Sequence, residues 1–390
     1  MQVLILGIGL QGRAALYHLA NSPDVEGIIA ADSDLERAEA YAERFGGGKA
    51  RCVRLDAEDH DAVLELMASE VDVVIELLPS YFGEVMAELA IETGVHLVNS
   101  SYASEEVLKL DAEAARRGVA ILPEFGMDPG IDLVMGAKAI GELDEVQELY
   151  SYGGGFPEPE AADNPIKYKI SWTFDGVLRS YKRPAHILQD GEVAHIPATD
   201  IFAERNIHII RVDGIGELEA IPNGDALRYV DLFGLGVSLK AMGRFSLRWP
   251  GHCAFWKKLV GLGFLNDEPI LVGSLEVAPR EFLHSLLEPQ LQYGDNERDV
   301  VFIRIDARGL KAGKSTRIVY DLTDYRDLST GLMAMNRTVG FTASIGAQMI
   351  VHGDIKRRGV LSPARDVDGD VLFGELRKFG VRISRSEEAW

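Results

Sequence analysis

The chain is predicted to be an α/β protein: a doubly wound parallel sheet, followed by a second α+β domain carrying a mostly antiparallel sheet. Three observations predict this. Residues 1 to about 127 alternate short apolar runs with helical patterns. A glycine-rich turn joins the first apolar run to the first helical pattern. From Tyr150 onward that rhythm gives way to glycine, proline, aromatic and β-branched residues, with strand patterns such as Val300 to Ala307 and Ser315 to Leu322.

Val3 to Leu6 reads as a buried strand, and GIGLQG, residues Gly7 to Gly12, follows at once and leads into a helical pattern from Arg13. In that context the glycines have separate tasks. Gly7 permits the tight turn, Gly9 lets a pyrophosphate approach the backbone, and Gly12 lets the helix lie close to the strand with its first amides facing the phosphates. Leu10 and Gln11 belong to the same turn and are candidate cofactor contacts. The second strand, Val25 to Ala31, ends at Asp32, about 20 residues beyond Gly12. A carboxylate there accepts hydrogen bonds from ribose hydroxyls and repels a 2′-phosphate, which favours NAD over NADP.

Further strands are expected at Ala50 to Leu55, Val71 to Leu78, Val95 to Asn99 and Val119 to Leu122, making six in the doubly wound order. Ligands of such sheets bind beyond the carboxyl ends of the strands. Asp56, Leu78, Pro79 and Ser100 lie there and are candidate cofactor residues, with Tyr102 and Asp128 as candidate catalytic groups. Asp128 precedes Pro129 and Gly130 and admits two readings, the N-cap of a helix starting at Pro129 or a carboxylate at the reacting centre. Tyr102 is read as either a packing aromatic or an acid/base group. Residues 1–127 are assigned to the dinucleotide-binding domain and 128–332 to a substrate and dimerisation domain. Residues 333–390, containing the helical NRTVGFTASIGAQMI, should pack back on the first domain.

Composition narrows the partners. The chain has 40 basic and 61 acidic side chains, a net charge of -21. Such an excess repels phosphate backbones and anionic membranes, and it obliges a site for an anionic substrate to supply its own cations. No apolar stretch is long enough to span a bilayer, and the chain enters its first strand without a leader, so a cytoplasmic protein is expected. Two cysteines, Cys52 and Cys253, make neither a disulfide framework nor a metal site, and no metal is expected. His96, inside an apolar strand, reads as a satisfied strand histidine. An exposed sheet in the second domain would suit a homodimer.

The second domain opens with YGGGFPEPEAADNPIKYKISW, Tyr152 to Trp172. Gly154 and Gly155 would admit a ligand close to the backbone, and Lys169 follows in strand-like alternation. Arg228, after Pro222-Asn223-Gly224-Asp225, and then Arg244 and Arg248 offer carboxylate recognition if turned inward.

FGMDPGID, SYGGGFPEPEAADNPIKYKISW, PNGDA and LLEPQL together resemble the saccharopine dehydrogenase family, the saccharopine reductases and their lysine 6-dehydrogenase relatives. The resemblance covers nearly the whole chain. It implies oxidation of an amino-acid amine, with hydride passing to a nicotinamide cofactor and water hydrolysing the imine, and it places Tyr102 and Asp128 at the reaction centre. Two positions depart from the reductase pattern: Gly153 stands where those enzymes have a cysteine, and Gly224 where they have an arginine that binds a substrate carboxylate. Saccharopine oxidation yielding glutamate, lysine ε-deamination, and an inactive NAD-binding sensor are therefore the three functions to separate.

Overall fold

A computed structural model describes residues 1–390, which fall into two units. In chain order the elements are β1 (Gln2–Leu6), α1 (Gly12–Ala20), β2 (Gly27–Asp32), α2 (Leu35–Phe45), β3 (Ala50–Arg54), α3 (His60–Met67), β4 (Val73–Glu76), α4 (Gly83–Thr93), β5 (His96–Asn99), α5 (Glu105–Lys109), α6 (Asp111–Arg116), β6 (Ala120–Leu122) and α7 (Ile131–Gly141). Then come β7 (Glu145–Pro157), α8 (Phe174–Ser180), β8 (Ala185–Gln189), β9 (Glu192–Ile196), β10 (His208–Val212), β11 (Gly216–Pro222), β12 (Ala241–Arg248), α9 (His252–Gly261), β13 (Ile270–Val272), β14 (Leu275–Val277), α10 (Pro279–Leu287), β15 (Asp299–Lys311) and β16 (Lys314–Tyr325). The chain ends with α11 (Ala334–His352), β17 (Gly359–Val360), α12 (Pro363–Asp366), α13 (Gly369–Lys378) and β18 (Arg382–Ala389).

The first unit, Met1–Ala137 with Met335–Arg382, holds a parallel sheet in the order β17-β6-β5-β4-β1-β2-β3. The order reverses beside β1, which pairs with both β2 and β4, so the switch point lies where the glycine turn leaves the sheet. The sheet has seven strands rather than the expected six. The additional edge strand, β17, is two residues long and too short to show any periodicity. Val3 to Leu6 and Val73 to Ile75 are fully buried, as parallel strands covered on both faces must be. α11 lies directly on α1: a Cβ at Gly340 would sit 2.6 Å from both Ala15 N and Gln11 O, so only glycine permits this approach.

The second unit, Lys138–Ala334 with Ile383–Trp390, carries a mixed sheet, β10-β11-β12-β7-β15-β16-β18, with β8 and β9 attached through β12. β12 runs parallel to β7, whereas β7–β15, β15–β16, β10–β11 and β11–β12 are antiparallel. Residues 128–137 group with the first unit and 383–390 with the second, because β18 adds a strand beside β16. The expected boundaries shift accordingly at both places. No helix is long and apolar enough to cross a membrane.

Candidate functional site

The glycine turn has the geometry its sequence implies. Gly7 takes a positive φ of 90° and its amide donates to Ala31 O, 2.9 Å away, which pins the turn to β2. A Cβ on Gly12 would fall well inside contact distance of Gly7 O, and one on Gly9 would meet nothing within 4 Å. Gly12 is thus required by the turn itself, and Gly9 leaves open space above the backbone at the amino end of α1. These are the features a dinucleotide pyrophosphate needs, and the residues present fit that group. Leu10 is exposed, while Gln11 accepts at its Oε1 from Asn336 Nδ2 at 3.4 Å.

Asp32 is almost fully buried at the end of β2. Its Oδ2 accepts from Ile8 N at 2.7 Å; its Oδ1 accepts from Asp34 N at 2.9 Å and from Arg37 Nη2 at 2.8 Å. The carboxylate therefore braces the glycine turn, and of its roughly four acceptor positions one is left for a ribose hydroxyl. Arg54 stands nearby, its Nη1 donating to Ser33 O at 3.0 Å. Asp56 is exposed and caps its own turn through Glu58 N.

The carboxyl edge of the sheet gathers the remaining candidates of the first unit. Leu78 and Pro79 follow β4, and Ser100 and Tyr102 follow β5. The segment after β6 is laced to the one after β5: Phe125 N donates to Asn99 O at 2.8 Å, and Glu124 N to Ser101 O at 2.9 Å. A Cβ at Gly126 would come within 2.9 Å of Ser100 Cβ, so the turn carrying Asp128 packs on Ser100. A cavity of about 190 Å³ in the same region is lined by Ser80, Tyr81, Asn99, Ser101, Tyr102 and neighbouring residues.

The cap reading of Asp128 is corrected here. The helix starts at Ile131, and residues 126–130 form a tight turn closed by Gly126 N donating to Pro129 O at 3.0 Å. Asp132 takes the local bracing role by accepting from Gly130 N at 2.8 Å. Asp128 is left partly exposed at the sheet's carboxyl edge. His96 is satisfied, as read from sequence: Nδ1 accepts from Ala120 N at 3.1 Å, and burial pushes its pKa down to about 4.

In the second unit the structure redistributes the expected substrate groups. Lys169 is buried but ion-paired with Glu297 at 2.6 Å and Asp163 at 3.0 Å. Burial opposes its charge, yet the two carboxylates hold its pKa above the ordinary value. It is a structural cation and not an open carboxylate receptor. Gly154 is also reassigned, because a Cβ there would lie 2.7 Å from Leu247 O; it exists to let β7 meet β12. Gly155 is buried opposite Val301 in the β7–β15 ladder, which accounts for it by pairing. Arg228 is exposed and stacks over Tyr229 at 5.3 Å.

The inward-facing cations are Arg244 and Arg248, both on β12 and both buried. Arg244 Nη1 donates to the Tyr229 hydroxyl at 3.1 Å. Arg248 Nε donates to the Tyr181 hydroxyl at 3.2 Å and Nη1 to Leu247 O at 2.8 Å, and its guanidinium lies 5.3 Å from the Tyr168 ring. Burial disfavours its charge, and Tyr181 and Tyr168 act the other way. No carboxylate is among its partners. Within electrostatic reach, the buried Tyr293 hydroxyl has no hydrogen-bond partner. Alternation along β12 is the sequence signal for both arginines, since Arg244, Ser246 and Arg248 share one face.

The parallel sheet, its switch point and the glycine turn define a Rossmann-type dinucleotide-binding protein. Residues 3–122 match the saccharopine dehydrogenase NADP binding domain and residues 126–381 the saccharopine dehydrogenase C-terminal domain. The chain belongs to the saccharopine dehydrogenase family. It is 28% identical to the saccharopine dehydrogenase [NADP(+), L-glutamate-forming] of Saccharomyces cerevisiae, with 99% of each covered. The apo structure of that yeast enzyme superposes with a TM-score of 0.87 at 27% identity, covering 100% of both chains. The α-aminoadipic semialdehyde synthase of Arabidopsis thaliana is 28% identical over 93% of this chain, which spans 41% of that larger protein.

Proposed function

We propose that the protein oxidises the secondary amine of saccharopine with NAD, releasing glutamate and an aminoadipate semialdehyde. The observation that carries this reading is Arg248, a buried guanidinium on β12 with hydroxyl and carbonyl partners and no counter-charge. Burying such a charge is costly unless it is paired. A substrate carboxylate would supply the pair through bidentate hydrogen bonds, and Arg244, four residues earlier, lies on the same strand face. Saccharopine, with three carboxylates, leaves one for Arg248 beyond the single α-carboxylate that lysine has. The yeast relative's name points to the same substrate, with NADP as that enzyme's cofactor.

The nicotinamide group, when bound, supplies the hydride acceptor. The chain's own residues do the rest. Gly7, Gly9 and Gly12 with the first amides of α1 would hold the pyrophosphate, and Asp32 would present its remaining acceptor position to the adenosine ribose. Its charge supports NAD over NADP, whose 2′-phosphate would have to draw Arg37 away from Asp32. Asp128, directly or through water, takes the ammonium proton so that the nitrogen lone pair can expel hydride from the adjacent carbon. Tyr102 donates or accepts a hydrogen bond at the same edge. Water then adds to the imine carbon and the C–N bond breaks.

The test is the formation of reduced cofactor, followed by absorbance, with saccharopine and lysine each offered alongside NAD and NADP. Faster turnover of saccharopine with NAD is expected. Preference for lysine overturns the substrate, preference for NADP overturns the cofactor, and tight NAD binding without turnover on either amine would establish a sensor.

A further inference from the structure

β4 reads Val73-Val74-Ile75-Glu76: three fully buried apolar residues and then a carboxyl group that is itself 1% exposed. Glu76 lies opposite Leu6 on one side and Asn99 on the other, at the carboxyl end of the two central strand pairs of the sheet. Its Oε1 accepts from Leu78 N at 2.9 Å, and its buried Oε2 has no hydrogen-bond partner. The Asn99 side chain beside it accepts at Oδ1 from Ser101 N at 3.1 Å, and Asn99 O receives Phe125 N. One buried carboxyl thus stands at the junction of the segments after β4, β5 and β6.

We propose that Glu76 is a positioning residue for the cofactor: its carboxyl holds the Leu78 amide and packs beside Asn99, whose own side chain holds the Ser101 amide, so that the segment carrying Leu78 and Pro79 and the segment carrying Ser100 are set from one buried point and fix the residues that receive the dinucleotide. This rests on the dinucleotide reading of the first unit. A brace of this kind works only if the group is compatible with its surroundings, and the surroundings demand a neutral acid. Burial pushes the Glu76 pKa up to about 8, opposed by the Leu78 amide and the Asn99 side chain. β1 presents only apolar residues to it. Glu84 and Glu88 on α4, His96 at the far end of β5, and Glu124 and Asp128 after β6 are the titratable groups of the adjoining elements, and none contributes to the shift. At neutral pH the side chain keeps its proton and acts as a hydrogen-bonding adapter. Ionisation would place an unpaired charge in the core of the sheet, loosening both segments.

The experiment is calorimetric titration of NAD and of ADP-ribose, which lacks the nicotinamide, into wild type, Glu76→Gln and Glu76→Leu from pH 6.5 to 9.5. Wild-type affinity for NAD should fall up to about thirtyfold across the alkaline range, the fraction still protonated 1.5 units above the pKa. Glu76→Gln, which is neutral at every pH and still accepts from Leu78 N, should bind within threefold of wild type at pH 7 and lose that alkaline fall. Glu76→Leu, apolar and suited to its neighbours, should bind NAD at least tenfold more weakly at all pH values, with ADP-ribose affinity less affected. An alkaline fall of equal size in Glu76→Gln, or wild-type NAD affinity in Glu76→Leu, overturns the assignment alone. Failure of wild type to bind either nucleotide overturns the assignment together with the dinucleotide reading.

Discussion

Replacing Asp32 by asparagine separates its two possible tasks. In the structure the carboxylate accepts three protein hydrogen bonds, from Ile8 N, Asp34 N and Arg37 Nη2. An asparagine oxygen placed where Oδ1 is can keep two of them as neutral bonds, but its amide then confronts the Ile8 N–H, donor against donor. Losing one buried charge-assisted bond and weakening another costs about 2–3 kcal/mol. The Arg37 component adds under about 1 kcal/mol, because that side chain is 44% exposed and solvent screens the pair. A unit of this size should then melt about 5–10 °C lower. If Asp32 also reads the adenosine ribose, NAD affinity should drop by about tenfold while NADP affinity holds or improves, since Arg37 is freed for a 2′-phosphate. Dissociation constants for both nucleotides, measured calorimetrically alongside thermal unfolding, give the two effects separately. A lower melting temperature with an unchanged NAD-to-NADP ratio would refute the ribose assignment and leave Asp32 as a brace of the glycine turn only.

Four further outcomes are expected. Gly12→Ala drives a Cβ against Gly7 O and should cost about 1–3 kcal/mol of stability and at least tenfold in nucleotide affinity by calorimetry. Asp128→Asn should lower turnover about a hundredfold or more while changing NAD affinity by less than about threefold; retained turnover removes it from proton transfer. Arg248→Met should raise the KM for saccharopine by about tenfold or more, with a folded protein by circular dichroism, because a buried cation without a counter-charge is exchanged for an apolar side chain. His18, buried with Nδ1 2.7 Å from Ser344 Oγ, is pushed down to about 3 by burial, with Lys378 adding to the effect. The unfolded chain therefore takes up this proton first, so its contribution to stability is present above about pH 6.5 and is lost as pH falls toward 3. Denaturant unfolding should show about 2 kcal/mol of that loss between pH 6.5 and 5, and His18→Gln should flatten it.

The nucleotide-binding half was readable because its signals are local: a strand, a glycine turn with fixed spacing, a helix and an acid follow each other within 32 residues. What escaped reading was decided by tertiary neighbours. Gly154 looked like room for a ligand, but the room belongs to Leu247 on a strand more than ninety residues away. Lys169 looked open because its partner Glu297 lies 128 positions further along. Asp128 before proline admitted a cap as well as a catalytic reading, because capping is the commonest local use of that pair, and only the helix start three residues later separates the two. Parallel pairing of β7 with β12 has no sequence signature, since the intervening hairpins suggest antiparallel order. Glu76 was missed although a signal existed: a carboxylate closing an otherwise apolar central strand is rare enough to ask what surrounds it.

The charge excess noted in the sequence gives the buried Arg248 its meaning. Acids outnumber bases, and in the second unit they take up most of the cations: Arg280 pairs with Asp175 and Asp267, Arg304 with Asp321, Arg308 and Arg317 with Asp306, and Arg385 with Glu142 and Glu387. Against that background, a guanidinium that is sealed from solvent and has tyrosines for neighbours is not explained by a shortage of acids. Folding alone does not repay its desolvation, since two neutral hydrogen bonds and a ring face offset only part of the cost of burying a charge. An incoming carboxylate offsets the rest, and it does so while the net field of the chain, which would repel it elsewhere, is locally reversed. The uncompensated arginine is therefore better understood as half of an ion pair whose other half is the substrate, and a chain with this much negative charge can select an anionic amino acid only by keeping such a cation out of reach of its own acids.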